Sequence, residues 1–228
     1  MIVWSDYSIP EYNNYLGKKG ILVGPHTAVF EPRNTFIDLT RPFMLEIGDF
    51  VKITRGCVIL VHDYSCSVVR KKNKIILGET RKTIIGNNVF LGMNSIVLPG
   101  TEIGNNVIIG AGAVVKGKIP DNVVYAGNPG RIISTLDEYL EKKKKRNLND
   151  AKLLCLEYKN KYGHFPEIKK MEHYFPEFLS SREELDAASI NLNWNGDDAD
   201  EILQSFLNQQ HSYNNYEDFL RDLEKNMI

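Results

Sequence analysis

Between Ile85 and Val115 an aliphatic side chain returns at every sixth position, at Ile85, Leu91, Val97, Ile103, Ile109 and Val115, with glycine following at Gly86, Gly92, Gly104 and Gly110. Neither the 3.6-residue period of a helix nor the alternation of an ordinary strand gives this spacing. Self-similarity at a fixed period marks a solenoid. Each hexad supplies one short strand and one turn, with its aliphatic residue facing inward. Asn87-Asn88 and Asn105-Asn106 suit the turns, because asparagine tolerates left-handed backbone angles. A weaker set, Val23, Val29, Ile47, Ile53 and Ile59, holds the same register upstream, although Thr35 and Arg41 fall in it and break the aliphatic rule. The 26 residues from Ile59 to Ile85 are not a multiple of six. The chain therefore leaves the solenoid wall between them, and the polar, basic segment 65–82 predicts a loop excursion carrying Arg70, Lys71, Lys72, Lys74, Arg81 and Lys82.

After Ile133 the period changes. Ser134-x-x-Asp137 reads as a helix cap, and Leu136, Tyr139 and Leu140 then take helical spacing. The run Lys142–Arg146 reads as a solvated helix face, since no set of stacking aromatics accompanies it. Ser181-x-x-Glu184 opens a further helix, and Tyr216, Phe219, Leu220 and Leu223 form an apolar helical stripe. "NLNWNGDD", at 191–198, reads as a turn-rich connector. The expected organisation is a repeat domain over 1–133, interrupted at 65–82, and a helical extension over 134–228.

Composition narrows the function classes. The 228 residues carry a formal charge of −1, with 43% hydrophobic and 25% charged residues. That balance fits a soluble globular protein and gives no general attraction to nucleic acid or an anionic membrane. No apolar stretch approaches the roughly 20 residues of a membrane span, and no basic-then-apolar leader follows Met1. Cys57, Cys66 and Cys155 are odd in number and lack C-x-x-C spacing. A disulfide framework or zinc knuckle is thus not expected, and a reducing cytoplasm is.

The hexads, "TIIGNNVFLG" and the closing "IPDNVVYAGNPGRII" resemble the hexapeptide-repeat acyltransferases. From Thr83 to Ile133 the likeness is to galactoside and maltose O-acetyltransferases. "VHDYS" and the helical tail after "STLDEYLEKKKK" are similar to acetyltransferases of bacterial capsule and O-antigen clusters. The resemblance implies a mainly β fold, a left-handed parallel β-helix with a C-terminal α-helical extension. It implies acetyl-CoA as co-substrate without a metal, a carbohydrate acceptor, and a homotrimer with each CoA groove between two subunits.

The chain has five histidines, His26, His62, His164, His173 and His211. The residues alone leave His62 open between a structural and a catalytic reading; the resemblance places it at the catalytic-base position. A sugar hydroxyl is a poor nucleophile at neutral pH, and an imidazole within reach can take its proton as it attacks the thioester carbonyl. Asp63 is the expected orienter of the ring, although neighbours on a strand point to opposite faces. Carried over from the family, the CoA positions fall on Met93, Ala111, Lys116, Gly117 and Arg131, with the Met93 N–H near the oxyanion. Lys116, Lys118 and Arg131 would meet phosphates, or, for the two lysines, be ordinary solvated surface. Phe90 and Met93 depart from the tryptophan and the serine or alanine common there, and Asn128-Pro129-Gly130 reads as a turn leaving the solenoid. Three rivals remain: an N-acetyltransferase on an amino-sugar nucleotide, a zinc carbonic anhydrase of the same fold, and a non-catalytic scaffold. The carbonic anhydrase needs three zinc histidines, and the position five after His62 is Ser67.

Overall fold

The computed structural model describes residues 8–192 and 197–225; residues 193–196, inside the connector expected at 191–198, lie outside them. The chain divides into two compact units, Met1–Tyr139 and Leu140–Ile228.

The first unit opens with α1 (Ile9–Lys19), whose first turn is closed by Glu11 reaching back to the Ser8 N–H at 2.8 Å. Gly20, at φ 101°, ends the helix in the left-handed region that glycine enters without penalty. Short strands follow: β1 (Leu22–Val23), β2 (Ala28–Val29), β3 (Phe36–Ile37), β4 (Leu45–Ile47), β5 (Lys52–Ile53) and β6 (Val58–Ile59). After the excursion come β7 (Thr83–Ile85), β8 (Val89–Leu91), β9 (Ile96–Val97), β10 (Glu102–Ile103), β11 (Val107–Ile109), β12 (Val114–Val115), β13 (Lys118–Ile119) and β14 (Val123–Ala126). Successive strands join three sheets in rotation. β1-β4-β7-β10-β13 form one, β2-β5-β8-β11-β14 run through the second, and β3-β6-β9-β12 form the third, every pair parallel. This parallel architecture is consistent with a left-handed β-helix.

Register stacks the hexad side chains into three ladders. Ile47, Ile85, Ile103 and Ile119 lie in one line, Val29, Ile53, Leu91, Ile109 and Tyr125 in the second, and Ile37, Ile59, Val97 and Val115 in the third. All but Val29 are buried. Each such aliphatic side chain contributes roughly 1.5–3 kcal/mol. Where the sequence broke register, the coil is longer. Turns of 3₁₀ helix at Pro32–Asn34 and Pro42–Met44 lengthen it, so Ile37 takes the inward position that the strict period assigned to Thr35. At the start of the solenoid, α1 buries Tyr12 and Leu16 on the core, and the Asn13 amide donates to the carbonyls of Gly24, Pro25 and Thr27. A capped end is what a stack of repeats requires.

The corner between the first and second sheets repeats one device. Asn88, Asn106 and Asn122 all have positive φ, at 53°, 56° and 60°. Their amides form a ladder, Asn88 to Asn106 at 2.9 Å and Asn106 to Asn122 at 3.0 Å. The excursion between β6 and β7 is not all loop: it contains α2 (Cys66–Asn73), closed by Lys74 at φ 60°. At the other end, β15 (Arg131–Thr135) folds back antiparallel on β14 through a turn at Gly127–Gly130.

α3 (Leu136–Tyr162) begins one residue later than expected. Thr135, not Ser134, caps it: Glu138 N–H donates to Thr135 Oγ1 at 3.2 Å, and Glu138 Oε2 accepts from Thr135 N–H at 2.9 Å. Ser134 is still paired in β15, so the cap waits until the strand ends. In the second unit, α4 (Arg182–Ala187) carries the expected Ser181–Glu184 box, followed by α5 (Ala199–Leu207) and α6 (Tyr216–Lys225). Tyr216, Phe219 and Leu223 of the stripe pack with Ala151, Cys155, Met171 and Phe178. Residues 142–146 are exposed, as a solvated face requires.

Candidate active site

His62 follows β6, and Asp38 follows β3, the strand paired with it in the same sheet. Coil stacking therefore brings together two residues far apart in sequence. His62 Nδ1 lies 2.7 Å from Asp38 Oδ2. Asp38 is 1% exposed and accepts three further bonds: from Thr40 Oγ1 at 2.6 Å, the Thr40 N–H at 3.0 Å and the Val61 N–H at 3.2 Å. Burial works against the charge on this carboxylate, but the hydrogen bonds from Thr40, His62 and Val61 outweigh it and bring its pKa down to about 2. An ionised carboxylate only accepts, so the ring proton sits on Nδ1 and the lone pair of the neutral imidazole on Nε2. Thr40 Oγ1, which donates to Asp38, also stands 3.0 Å from Nδ1 and steadies the ring. Among the described residues nothing hydrogen-bonds to Nε2.

The expectation for Asp63 is corrected by this geometry. Its Oδ1 accepts from the Ser65 N–H at 2.9 Å and Ser65 Oγ at 2.7 Å, bonds that lower its pKa. The adjacent residue turns to the excursion, and the ring is held by a carboxylate one coil away. Sequence reasoning missed Asp38 and Thr40; the signal was that both "FID" and "VIL" close on strands of one sheet, hidden by the broken register between Val29 and Leu45.

His62 lines a cleft of about 290 Å³ with Tyr64, Cys66, Arg70 and, across from them, Arg41 and Glu79. The remaining expected residues divide between two corners of the coil. Lys116 and Gly117 follow β12, on the same corner as His62 and two strands further along the sheet. Met93 and Ala111 precede β9 and β12, on the corner before that sheet, where the Gly112 N–H donates to the Met93 carbonyl at 2.8 Å. Arg131, paired with Ala126 at the end of β14, belongs with Met93 and Ala111. One chain thus unites neither Met93 nor Ala111 with His62. Met93, Ala111, Lys116, Gly117 and Arg131 are exposed. Gly112 and Gly117, at φ 68° and 82°, have no heavy atom within 4 Å of where a Cβ would stand, so a slender chain can lie against the backbone there. Lys118 is paired with Glu102 at 2.8 Å. Among the described residues no group of three metal-ligating side chains exists, and no helix is long and apolar enough to cross a membrane.

Comparison with known proteins agrees with the repeat pattern. The sequence profile of the family described as bacterial transferase hexapeptide (six repeats) matches residues 82–117. Protein CapG of Staphylococcus aureus is 39% identical over 147 residues, covering 61% of this chain and 84% of CapG. Galactoside O-acetyltransferase of Escherichia coli K12 is 35% identical over 107 residues, 46% of this chain and 51% of that protein. A solved hexapeptide-repeat-containing acetyltransferase of Vibrio cholerae, complexed with acetyl coenzyme A, is 26% identical with a TM-score of 0.44, over 51% of this chain and 60% of that one. Six-residue ladders, the matched repeats and the extended likeness to CapG place this chain in the hexapeptide-repeat transferase family.

Proposed function

We propose that the chain is an acetyl-CoA-dependent O-acetyltransferase of a carbohydrate hydroxyl, in a surface polysaccharide or its precursor, built on a left-handed β-helix and working in the cytoplasm. The observation that carries the reading is the 2.7 Å bond from His62 Nδ1 to the buried Asp38, which fixes the tautomer and leaves Nε2 as a base at the cleft. The acceptor hydroxyl gives its proton to Nε2 as its oxygen attacks the thioester carbonyl carbon. The tetrahedral intermediate then collapses, the C–S bond breaks, and the imidazolium returns the proton to the departing sulfur. Asp38 stabilises that imidazolium without taking its proton, since a carboxylate this well hydrogen-bonded stays ionised.

Met93, Ala111, Lys116, Gly117 and Arg131 are the proposed CoA positions. Their division between two corners supports a homotrimer, in which the corner carrying Met93, Ala111 and Arg131 on one subunit faces the corner carrying His62 and Lys116 on the next. The Met93 N–H would then serve the neighbour's oxyanion, not that of its own His62. Asp63 keeps only a supporting part, holding the start of the excursion through Ser65.

The test is mass spectrometry of acceptor glycans incubated with acetyl-CoA and the protein. A gain of one acetyl group, removable by mild base as an ester is and an amide is not, is the expected result. A base-stable acetyl on an amino sugar would replace the reading by N-acetylation. Absence of transfer with every acceptor, together with absence of CoA binding, would leave the chain a scaffold.

A further inference from the structure

Two arginines flank His62 in its cleft, and neither has an acidic partner among the described residues. Arg41 comes from the coil before and Arg70 from α2. Both are held in place by neutral groups. Arg41 Nη1 donates to the Glu79 carbonyl and, at 2.8 Å, to Thr80 Oγ1. Arg70 Nη2 donates to Tyr64 Oη at 3.0 Å, and its guanidinium lies 5.5 Å from the centre of that ring. Each guanidinium has five N–H donors in a fixed fork, so most of each fork is still available.

The cleft's two carboxylates do not answer this charge. Glu79 Oε1 is 2.7 Å from Arg81 Nε, and Asp63 Oδ1 is engaged by Ser65. Guanidiniums fixed by carbonyl, hydroxyl and aromatic partners, beside a base, make a receptor for planar or tetrahedral oxyanions.

We infer that the acceptor is an anionic sugar, whose carboxylate or phosphate is gripped by Arg41 and Arg70 while a hydroxyl of the same residue is presented to His62. This rests on the acyl-transfer reading of the site and narrows its substrate class. The volume of about 290 Å³ is at the small end of ligand sites and suits one sugar unit at the base. A neutral sugar would leave both charges unanswered.

The experiment measures binding and turnover separately. Calorimetric titration of the His62→Ala protein, without acetyl-CoA, uses methyl glucoside, methyl glucuronide and glucose 1-phosphate. The anionic sugars should bind at least roughly tenfold more tightly than the neutral one, the scale of one charge-assisted hydrogen bond. Arg70→Gln and Arg41→Gln should each cut that preference several-fold, and whichever anion loses more identifies carboxylate or phosphate as the group recognised. In the active protein, the ratio of kcat/KM for anionic over neutral acceptor should fall in step. Equal binding of neutral and anionic sugars, or a preference that survives both substitutions, overturns the inference; if methyl glucoside is still acetylated, the acyl-transfer reading stands. Anion binding that vanishes in the arginine variants, with no transfer to any acceptor, upholds the receptor and overturns the transferase.

Discussion

Asp38 and His62 lie 24 residues apart and meet at 2.7 Å because their strands are neighbours in one sheet. The pair is a property of coil stacking, and its chemical effect is confined to one atom, Nε2. Replacing Asp38 by Asn keeps the shape but allows the other tautomer. Asp38→Asn should lower kcat by about 10²-fold or more, with the KM for acetyl-CoA nearly unchanged, as a steady-state comparison shows. His62→Ala should lose roughly 10²–10⁴-fold in turnover. Near-normal turnover in either variant removes the dyad from the mechanism.

The same carboxylate links stability to acid. Its pKa falls from the ordinary 3.8 to about 2 on folding. A lowered folded-state pKa stabilises above the unfolded value and loses that contribution as pH falls through the folded one. The shift corresponds to about 2 kcal/mol at neutral pH, fading between about pH 4 and pH 2. Urea unfolding of the native protein and Asp38→Asn should therefore differ most at pH 6 and draw together progressively as the pH falls through about 4 to about 2. A gap that stays constant with pH would show that Asp38 acts by shape alone.

Much of this was legible in the chain, and the reasons are local. Ile85, Leu91 and Val97 announce their ladders because a constant period needs no knowledge of the fold. Ser181 and Glu184 announce a helix start because both partners lie within four residues. Asn88 and Asn106 suited turns by their backbone tolerance. Asp38 could not be read, since Pro32–Asn34 and Pro42–Met44 lengthen the coil and shift Ile37 out of the count. α2 was read as loop because its eight residues, "CSVVRKKN", carry neither a cap nor a buried side. Its start at a polar stretch resembles any solvated excursion.

Asn106 does two things at its corner, holding φ at 56° and bridging Asn88 and Asn122. Asn106→Ala should cost about 1–2 kcal/mol for the left-handed backbone and more for the lost bridges. Asn106→Gly forfeits only the bridges, so its melting temperature should fall between those of the native protein and the alanine variant. The reverse order would deny the backbone its part.

Arg131 stands on the corner before the sheet that His62 follows, and the proposed contact with a CoA phosphate there would be made equally in ground and transition state. Arg131→Ala should raise the KM for acetyl-CoA by up to roughly fivefold and leave kcat within about a factor of three. Collapse of kcat at constant KM would move Arg131 from anchoring to chemistry or assembly.

The excursion that carries α2 leaves and rejoins the wall without disturbing it: Ile47 still pairs with Ile85, Ile53 with Leu91 and Ile59 with Val97. Closing a longer or shorter insertion at that corner changes the folding free energy only logarithmically with its length. The segment is thus a cassette plugged into a spindle whose register does not depend on it. Its residues line the His62 cleft, while the strand pairing of the coils on either side of it stays in register. On the proposed function, editing this one insert would change what meets the acceptor beside His62 at little cost to the stability of the coils.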